Sequence, residues 1–199
     1  MNQKEIYSIE KALSKELSTE RYLHSIGVMD TAACMAMAYN VDIDAALLAG
    51  LLHDCAKSIP DTKKITLCKR NKIEISAAEF ASPTLLHAKL GAHIAHKKYR
   101  VDDQDILNAI LYHTTGRPEM SLLEKIVYIA DYIEPTRKNI PNLKEIRYLA
   151  FHDIDRCMYE VLRATIHHLE RRPITIDEVT QEAFRFYEAA VETAQSSGE

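Results

Sequence analysis

The chain contains no tryptophan, and its 199 residues include only 5 glycines and 6 prolines. Average proteins carry about 7% glycine and about 5% proline, so turn-forming residues are scarce. That scarcity excludes a collagen-like or low-complexity chain and speaks against a turn-rich β-sandwich or barrel. No apolar run approaches the roughly 20 residues that a membrane-spanning helix needs. The first residues, Met1-Asn2-Gln3-Lys4-Glu5-Ile6-Tyr7, bring an acid early and no apolar leader, which predicts a protein that is not exported. Cysteine is limited to Cys34, Cys55, Cys68 and Cys157, with no close pair and no CxxC. Reduced, mostly buried thiols in a cytoplasmic protein are expected, rather than a disulfide framework. Excess positive charge is missing too: a net charge of −4 and a pI near 6.1 speak against a general binder of nucleic-acid backbones.

What remains is an ordinary globular balance, 47% hydrophobic and 27% charged, in a length that suits one domain. Apolar periodicity predicts helices over 3–17, over Thr19 to Tyr39, and from a cap at Asp44 through Ala45-Ala46-Leu47-Leu48-Ala49-Gly50-Leu51-Leu52 to His53-Asp54. A short helix is expected after Asp61. Ser82-Pro83 gives a start signal for a helix to Lys98. Asp102 or Asp103 opens a helix to His113, and another spans Ser121 to Ile133. Two or three more are expected within 142–171 and 177–195. No strand is predicted. The fold class is all-α, as one domain over 1–195 with a core at 19–137, C-terminal helices at 142–195 and a frayed tail at 196–199.

Nine histidines are a mild surplus, and helix faces sort them. His93 shares its face with Lys89, His96 and Lys97, and His167 with Arg163, Glu170 and Arg171, which marks solvated faces. His96, His152 and His168 are mixed and fall with them. His87, by contrast, shares its face with Leu90, Gly91 and Ile94, and His113 with Ile106, Ala109 and Ile110. His53 and Asp54 follow the apolar 45–52 run, and Asp131 is the only acid in Ile126-Val127-Tyr128-Ile129-Ala130-Asp131-Tyr132-Ile133. His24 has Gly27, Val28 and Met35 on its face but also Arg21 and Thr31, which leaves it open between core histidine and ligand. A carboxylate in a core costs several kcal/mol unless it is paired or neutralised. Three imidazoles and two carboxylates, with no Lys or Arg on their faces, make a bound cation the economical account. Neighbours on a helix diverge by about 100°, so His53 and Asp54 meet one ion only near a helix end, or reach two ions. Nitrogen and oxygen ligands without thiolate suit iron, manganese, zinc or similar ions.

The order His24, His53-Asp54, Asp131 resembles the HD-domain phosphohydrolases. The surrounding segments narrow the likeness: Arg21-Tyr22-Leu23-His24, Leu51-Leu52-His53-Asp54-Cys55-Ala56-Lys57, Leu86-His87-Ala88-Lys89, Tyr112-His113-Thr114-Thr115-Gly116 and Ala130-Asp131-Tyr132-Ile133-Glu134-Pro135-Thr136-Arg137. Together they resemble the YqeK family of symmetrical diadenosine tetraphosphate hydrolases, over roughly residues 5–195. The resemblance implies an all-α HD fold holding iron, with manganese or a similar ion as the alternative, and hydrolysis of a dinucleoside polyphosphate into two ADP. It implies His24, His53, Asp54 and Asp131 as core metal ligands. His87 and His113 then complete a second metal position bridged by Asp54, which is favoured, or bond substrate phosphates. Asp54 and Lys57 are the catalytic candidates. Arg21, Lys57 and Arg137 are placed on phosphate oxygens, with the Thr114-Thr115-Gly116 loop offering N–H groups beside them and Pro173-Ile174-Thr175-Ile176 near the nucleoside. Neither nucleic acid nor membrane is an expected partner, and a homodimer is compatible with the pattern.

Breaking a phosphoanhydride asks for an in-line nucleophile and neutralisation of a crowded polyanion, and a metal serves both. The alternatives are another HD-type nucleotide phosphohydrolase, such as a nucleotidase or (p)ppGpp hydrolase, a non-catalytic nucleotide sensor, or a structural helical adaptor.

Overall fold

The computed structural model describes residues 3–196, all in one helical domain with no strand among them. Eleven α-helices follow in order among the described residues: α1 (Gln3–Glu16), α2 (Thr19–Tyr39), α3 (Ile43–Leu52), α4 (Asp61–Arg70), α5 (Ala77–Ala81), α6 (Leu86–Tyr99), α7 (Gln104–Tyr112), α8 (Leu122–Ile133), α9 (Leu143–Leu149), α10 (Ile154–Glu170) and α11 (Glu178–Ser196). Ser196 closes α11, and the rest of the expected tail lies outside the described residues. None of these helices is long and apolar enough to cross a membrane. All four cysteines are free thiols, and Cys34 is exposed.

Short polar side chains start most helices by accepting the N–H groups that a first turn leaves unpaired. Ser18 serves α2, Asp103 serves α7 and Asp153 serves α10. Ser121 and Glu124 form a reciprocal capping box on α8. Three details differ from the sequence-based expectation. Asp42, not Asp44, caps α3, because its side chain reaches the Ala45 N–H at 3.1 Å and Asp44 already lies in the first turn. The Ser76-x-x-Glu79 box builds α5, a helix the periodicity did not suggest. Pro83 opens a 3₁₀ turn over Pro83–Leu85, and α6 proper starts at Leu86 without a side-chain cap.

The core forms around α3, whose Ala46, Leu48, Ala49, Gly50, Leu51 and Leu52 are all buried. Helix α3 packs on α2, α7 and α8, while α6 lies along α7 and α10 backs α8, with α11 paired to α10. Gly50 makes the closest of these approaches, since a Cβ there would sit 2.9 Å from the Met29 backbone of α2. This arrangement turns the C-terminal ends of α3, α7 and α8, the start of α6 and the second turn of α2 toward one point.

Candidate metal centre

His53 caps the C-terminus of α3 and His113 that of α7. Each turns its Nδ1 back onto the carbonyl three residues earlier, Gly50 O and Ile110 O, at 2.7 Å in both cases. His87, in the first turn of α6, does the same at 2.5 Å to Thr84 O, a carbonyl supplied by the 3₁₀ turn. A carbonyl only accepts, so these bonds put the proton on Nδ1 and leave the Nε2 lone pair available. His24 obtains the same tautomer differently, with Nδ1 donating to Glu134 Oε1 at 3.1 Å. The four lone pairs converge on Asp54 and Asp131.

His24 Nε2 lies 3.0 Å from Asp131 Oδ1, and His53 Nε2 lies 3.9 Å from that oxygen and 3.8 Å from Asp54 Oδ2. On the other side, Asp54 Oδ1 is 3.1 Å from His87 Nε2 and 3.6 Å from His113 Nε2, and those two nitrogens are 3.1 Å apart. Ligand atoms bonded at about 2.0–2.2 Å to one ion lie about 3–3.5 Å from each other, so these spacings suit a shared cation. His24 Nε2, His53 Nε2 and Asp54 Oδ1 are buried without a hydrogen-bond partner. Buried polar atoms are rarely left unpaired, and lone pairs facing lone pairs call for a positive charge between them. The donor set therefore fits a metal, in two overlapping groups, His24-His53-Asp131 and His53-Asp54-His113.

Electrostatics agree at His53 and His87 and run the other way at His24. Burial pushes the His53 imidazole down to about 4, so it is neutral at ordinary pH with a lone pair free to ligate, and burial lowers His87 as well, while the Asp131 and Glu134 carboxylates raise His24 against its burial. Burial alone would raise the carboxyl of Asp131, but the imidazoles of His24, His53 and His113 around it hold it well below the usual range. Asp54 is likewise held low against its own burial by His53, His113 and His87.

The cations absent from those helix faces arrive from elsewhere in the chain and offset part of the charge of the two acids. Arg21 Nη1 meets Asp54 Oδ2 at 3.1 Å, and Arg137 Nη2 meets Asp131 Oδ1 at 2.6 Å while its Nε bonds Asp131 O at 2.9 Å. Lys57 Nζ is 3.0 Å from His87 Nε2 and 3.6 Å from Asp54 Oδ1, and burial lowers its ammonium from the usual value. Thr114 follows His113, with its Oγ1 buried and unpartnered. Gly116 corrects its sequence-based role: its N–H is bonded to Tyr112 O at 2.8 Å, its φ is +65°, and it packs beneath Ala183 and Leu162. It shapes the turn and presents no N–H to a ligand. Thr115, beside it, is half-buried. The Pro173–Ile176 segment joins α10 to α11.

Glu134 was missed as a site residue. It is fully buried at the C-cap of α8 and accepts from Thr136 N at 2.6 Å, from Thr136 Oγ1 and from His24. Burial would raise its carboxyl, but the Thr136 bonds and His24 lower it. Gly27 of α2 makes room, because a Cβ there would stand 2.7 Å from Glu134 Oε2. The signal was its position three residues after Asp131, on the same face of α8.

A histidine-aspartate centre at the ends of packed helices defines a metal-dependent hydrolase of the HD type, and the HD domain family model matches residues 21–136. The symmetrical bis(5'-nucleosyl)-tetraphosphatase of Bacillus subtilis is 37% identical over 172 residues, covering 86% of this chain and 90% of its own length. Its counterpart in Staphylococcus aureus is 36% identical and covers 90% and 94%. A crystal structure from Clostridium acetobutylicum, described as a predicted HD superfamily hydrolase involved in NAD metabolism, superposes with a TM-score of 0.88 at 41% identity, covering 92% and 96%. The chain belongs to the HD-domain family and, within it, to the symmetrical bis(5'-nucleosyl)-tetraphosphatases.

Proposed function

We propose that the protein hydrolyses diadenosine tetraphosphate at its central phosphoanhydride, giving two ADP, at a centre that holds iron in two positions. The observation that carries this is the convergence of four histidines turned by their Nδ1 bonds and two aspartates, with His24 Nε2, His53 Nε2 and Asp54 Oδ1 left buried and unpartnered. His24, His53, Asp54 and Asp131 would hold one ion, and Asp54, His87 and His113 the other. A neutral imidazole has one lone pair, so His53 would serve a single ion, and Asp54 would be shared, since its Oδ2 faces His53 and its Oδ1 faces His87 and His113. The oxygen- and nitrogen-only donor set admits manganese in place of iron. When bound, the ions supply a nucleophile at neutral pH and polarise the phosphoryl group.

The chain's own cations handle the rest of the charge. Arg21 and Arg137 are tethered to the two aspartates yet 45% and 39% exposed, so their guanidinium groups meet a polyphosphate entering from solvent. Lys57 sits between His87 and Asp54 and stands ready to accompany the phosphate next to the centre, where its ammonium stabilises the charge that develops on the departing ADP. The turn at Thr114 and Thr115 borders the same opening. A net charge of −4 is no obstacle, because these few groups set the local field.

Incubating the iron- or manganese-loaded protein with diadenosine tetraphosphate and separating the nucleotides tests this directly. ADP as the sole nucleotide product is the expected result. AMP with ATP, or release of inorganic phosphate, would assign a different HD-type reaction.

A further inference from the structure

Helix α6 presents His87 from an unsecured place. His87 lies in its first turn, and that turn has no side-chain cap, unlike those of α2, α7, α8 and α10. An uncapped start leaves backbone N–H groups unpaired and is where a helix frays first. The carbonyl that aims the ring, Thr84 O, belongs to the 3₁₀ turn Pro83–Leu85 just ahead of the helix. Leu86 and Leu90 pack with Ala56 and Cys68 in a small apolar cluster of their own rather than in the main core. The ring and its guide therefore both depend on whatever fastens the turn.

Lys89 fastens it from behind. Two residues past His87, it leaves the helix about 200° away and so points off the centre. Its Nζ donates to Glu79 Oε2 at 2.7 Å and to Glu74 O at 3.0 Å, reaching α5 and the chain before it. The same Oε2 accepts from Ser76 N at 2.7 Å, and Ser76 Oγ donates onward to Asp177 Oδ2 at 3.0 Å, beside the start of α11. The loop closed between Glu79 and Lys89 contains the 3₁₀ turn, Thr84 and His87. Exposed ion pairs hold little, but here the Glu79 side chain is only 6% exposed, and removing the lysine would strand a buried charge. Building on the two-ion reading above, we infer that Lys89 is a positioning residue for His87: its clasp on Glu79 and Glu74 O holds the turn whose Thr84 carbonyl aims the imidazole at the second metal position.

Nitrogen-15 NMR of the full chain loaded with zinc, a diamagnetic ion, tests this through the Nδ1 protons of His53, His87 and His113, each bonded to a carbonyl. The signal missing in His87→Gln identifies the His87 proton. Lys89→Met is expected to speed its exchange with water at least tenfold, with the His53 and His113 protons within twofold of the parent. Lys89→Arg, which keeps the charge and the donors, should restore slow exchange at His87. Exchange at His87 within twofold of the parent in Lys89→Met would overturn the assignment. Equal acceleration at all three rings would overturn it too, since that marks a general loosening. Should Lys89→Met not fold, Glu79→Gln, which keeps an oxygen for Ser76 and loses the charge, is judged by the same two outcomes. A parent protein that binds one zinc rather than two would unseat the two-ion reading, and proton exchange would still decide whether Lys89 positions His87.

Discussion

Replacing Gly27 by alanine acts on the centre without touching a ligand. The new Cβ would stand 2.7 Å from Glu134 Oε2, about 0.7 Å short of the 3.4 Å at which ordinary contact begins. Glu134 is fully buried and its own Cβ is only 3.5 Å from the same point, so the carboxyl must swing away from α2. A displacement of that size stretches the bond to His24 Nδ1 from 3.1 Å to about 3.8 Å, outside hydrogen-bonding range. A hydrogen bond to a charged group contributes about 1.5–3 kcal/mol. Loss of a partner behind a ligating histidine costs about 10–100-fold in metal affinity, a similar energy. Alanine in mid-helix gives back about 0.5–1 kcal/mol of backbone entropy, so the metal-free fold is expected to melt within a few degrees of the parent. Competition with a fluorescent chelator for manganese or anaerobic iron(II), run beside a melt of the metal-free protein, reads the two effects separately. Metal affinity within threefold of the parent would refute the buttressing role of Glu134.

His53→Ala or Asp54→Ala is expected to lower hydrolysis at least a thousandfold with the helical circular-dichroism signal intact, and full activity in either would remove that residue from the centre. Arg137→Ala should raise KM for the dinucleotide about tenfold, in line with one charged hydrogen bond, with metal retained by elemental analysis; lost metal would make Arg137 a support of Asp131 instead. The pH dependence of the metal-free protein follows from His53. Its imidazole titrates near 6.5 unfolded and about 4 folded, so only the unfolded state gains a proton as pH falls between them. The His53 contribution is whole above pH 6.5 and is lost toward pH 4, by about 3 kcal/mol at most. Urea titrations of the parent and His53→Gln at pH 7 and 4.5 should show a shallower acid loss in the variant, and equal losses would contradict a buried neutral His53.

The candidate ligands were legible because their chemistry clashes with their surroundings. Asp131 inside an eight-residue apolar run, and His87 and His113 on apolar faces, are conspicuous to periodicity alone, and the structure brings them to one point. His24 stayed ambiguous because Arg21 shares its helix face; in space that arginine turns to Asp54 and is part of the site. Glu134 was illegible for a related reason. An acid before a proline at a helix end resembles a solvated C-terminus, and its burial depends on Gly27, a partner on another helix. The 3₁₀ turn at Pro83–Leu85 was read as the first turn of a helix, since Ser-Pro signals a start without specifying which hydrogen-bond period follows. Helix α5, however, carried a readable capping box in Ser76 and Glu79.

Each of three imidazoles is aimed by a carbonyl three residues back, the last rungs of α3 and α7 and the bend ahead of α6. The orientation is thus inherited from backbone that folds regardless of what arrives later. A socket shaped in advance spares an arriving cation most of the cost of ordering its donors, so loading is expected to ask for little rearrangement of the chain.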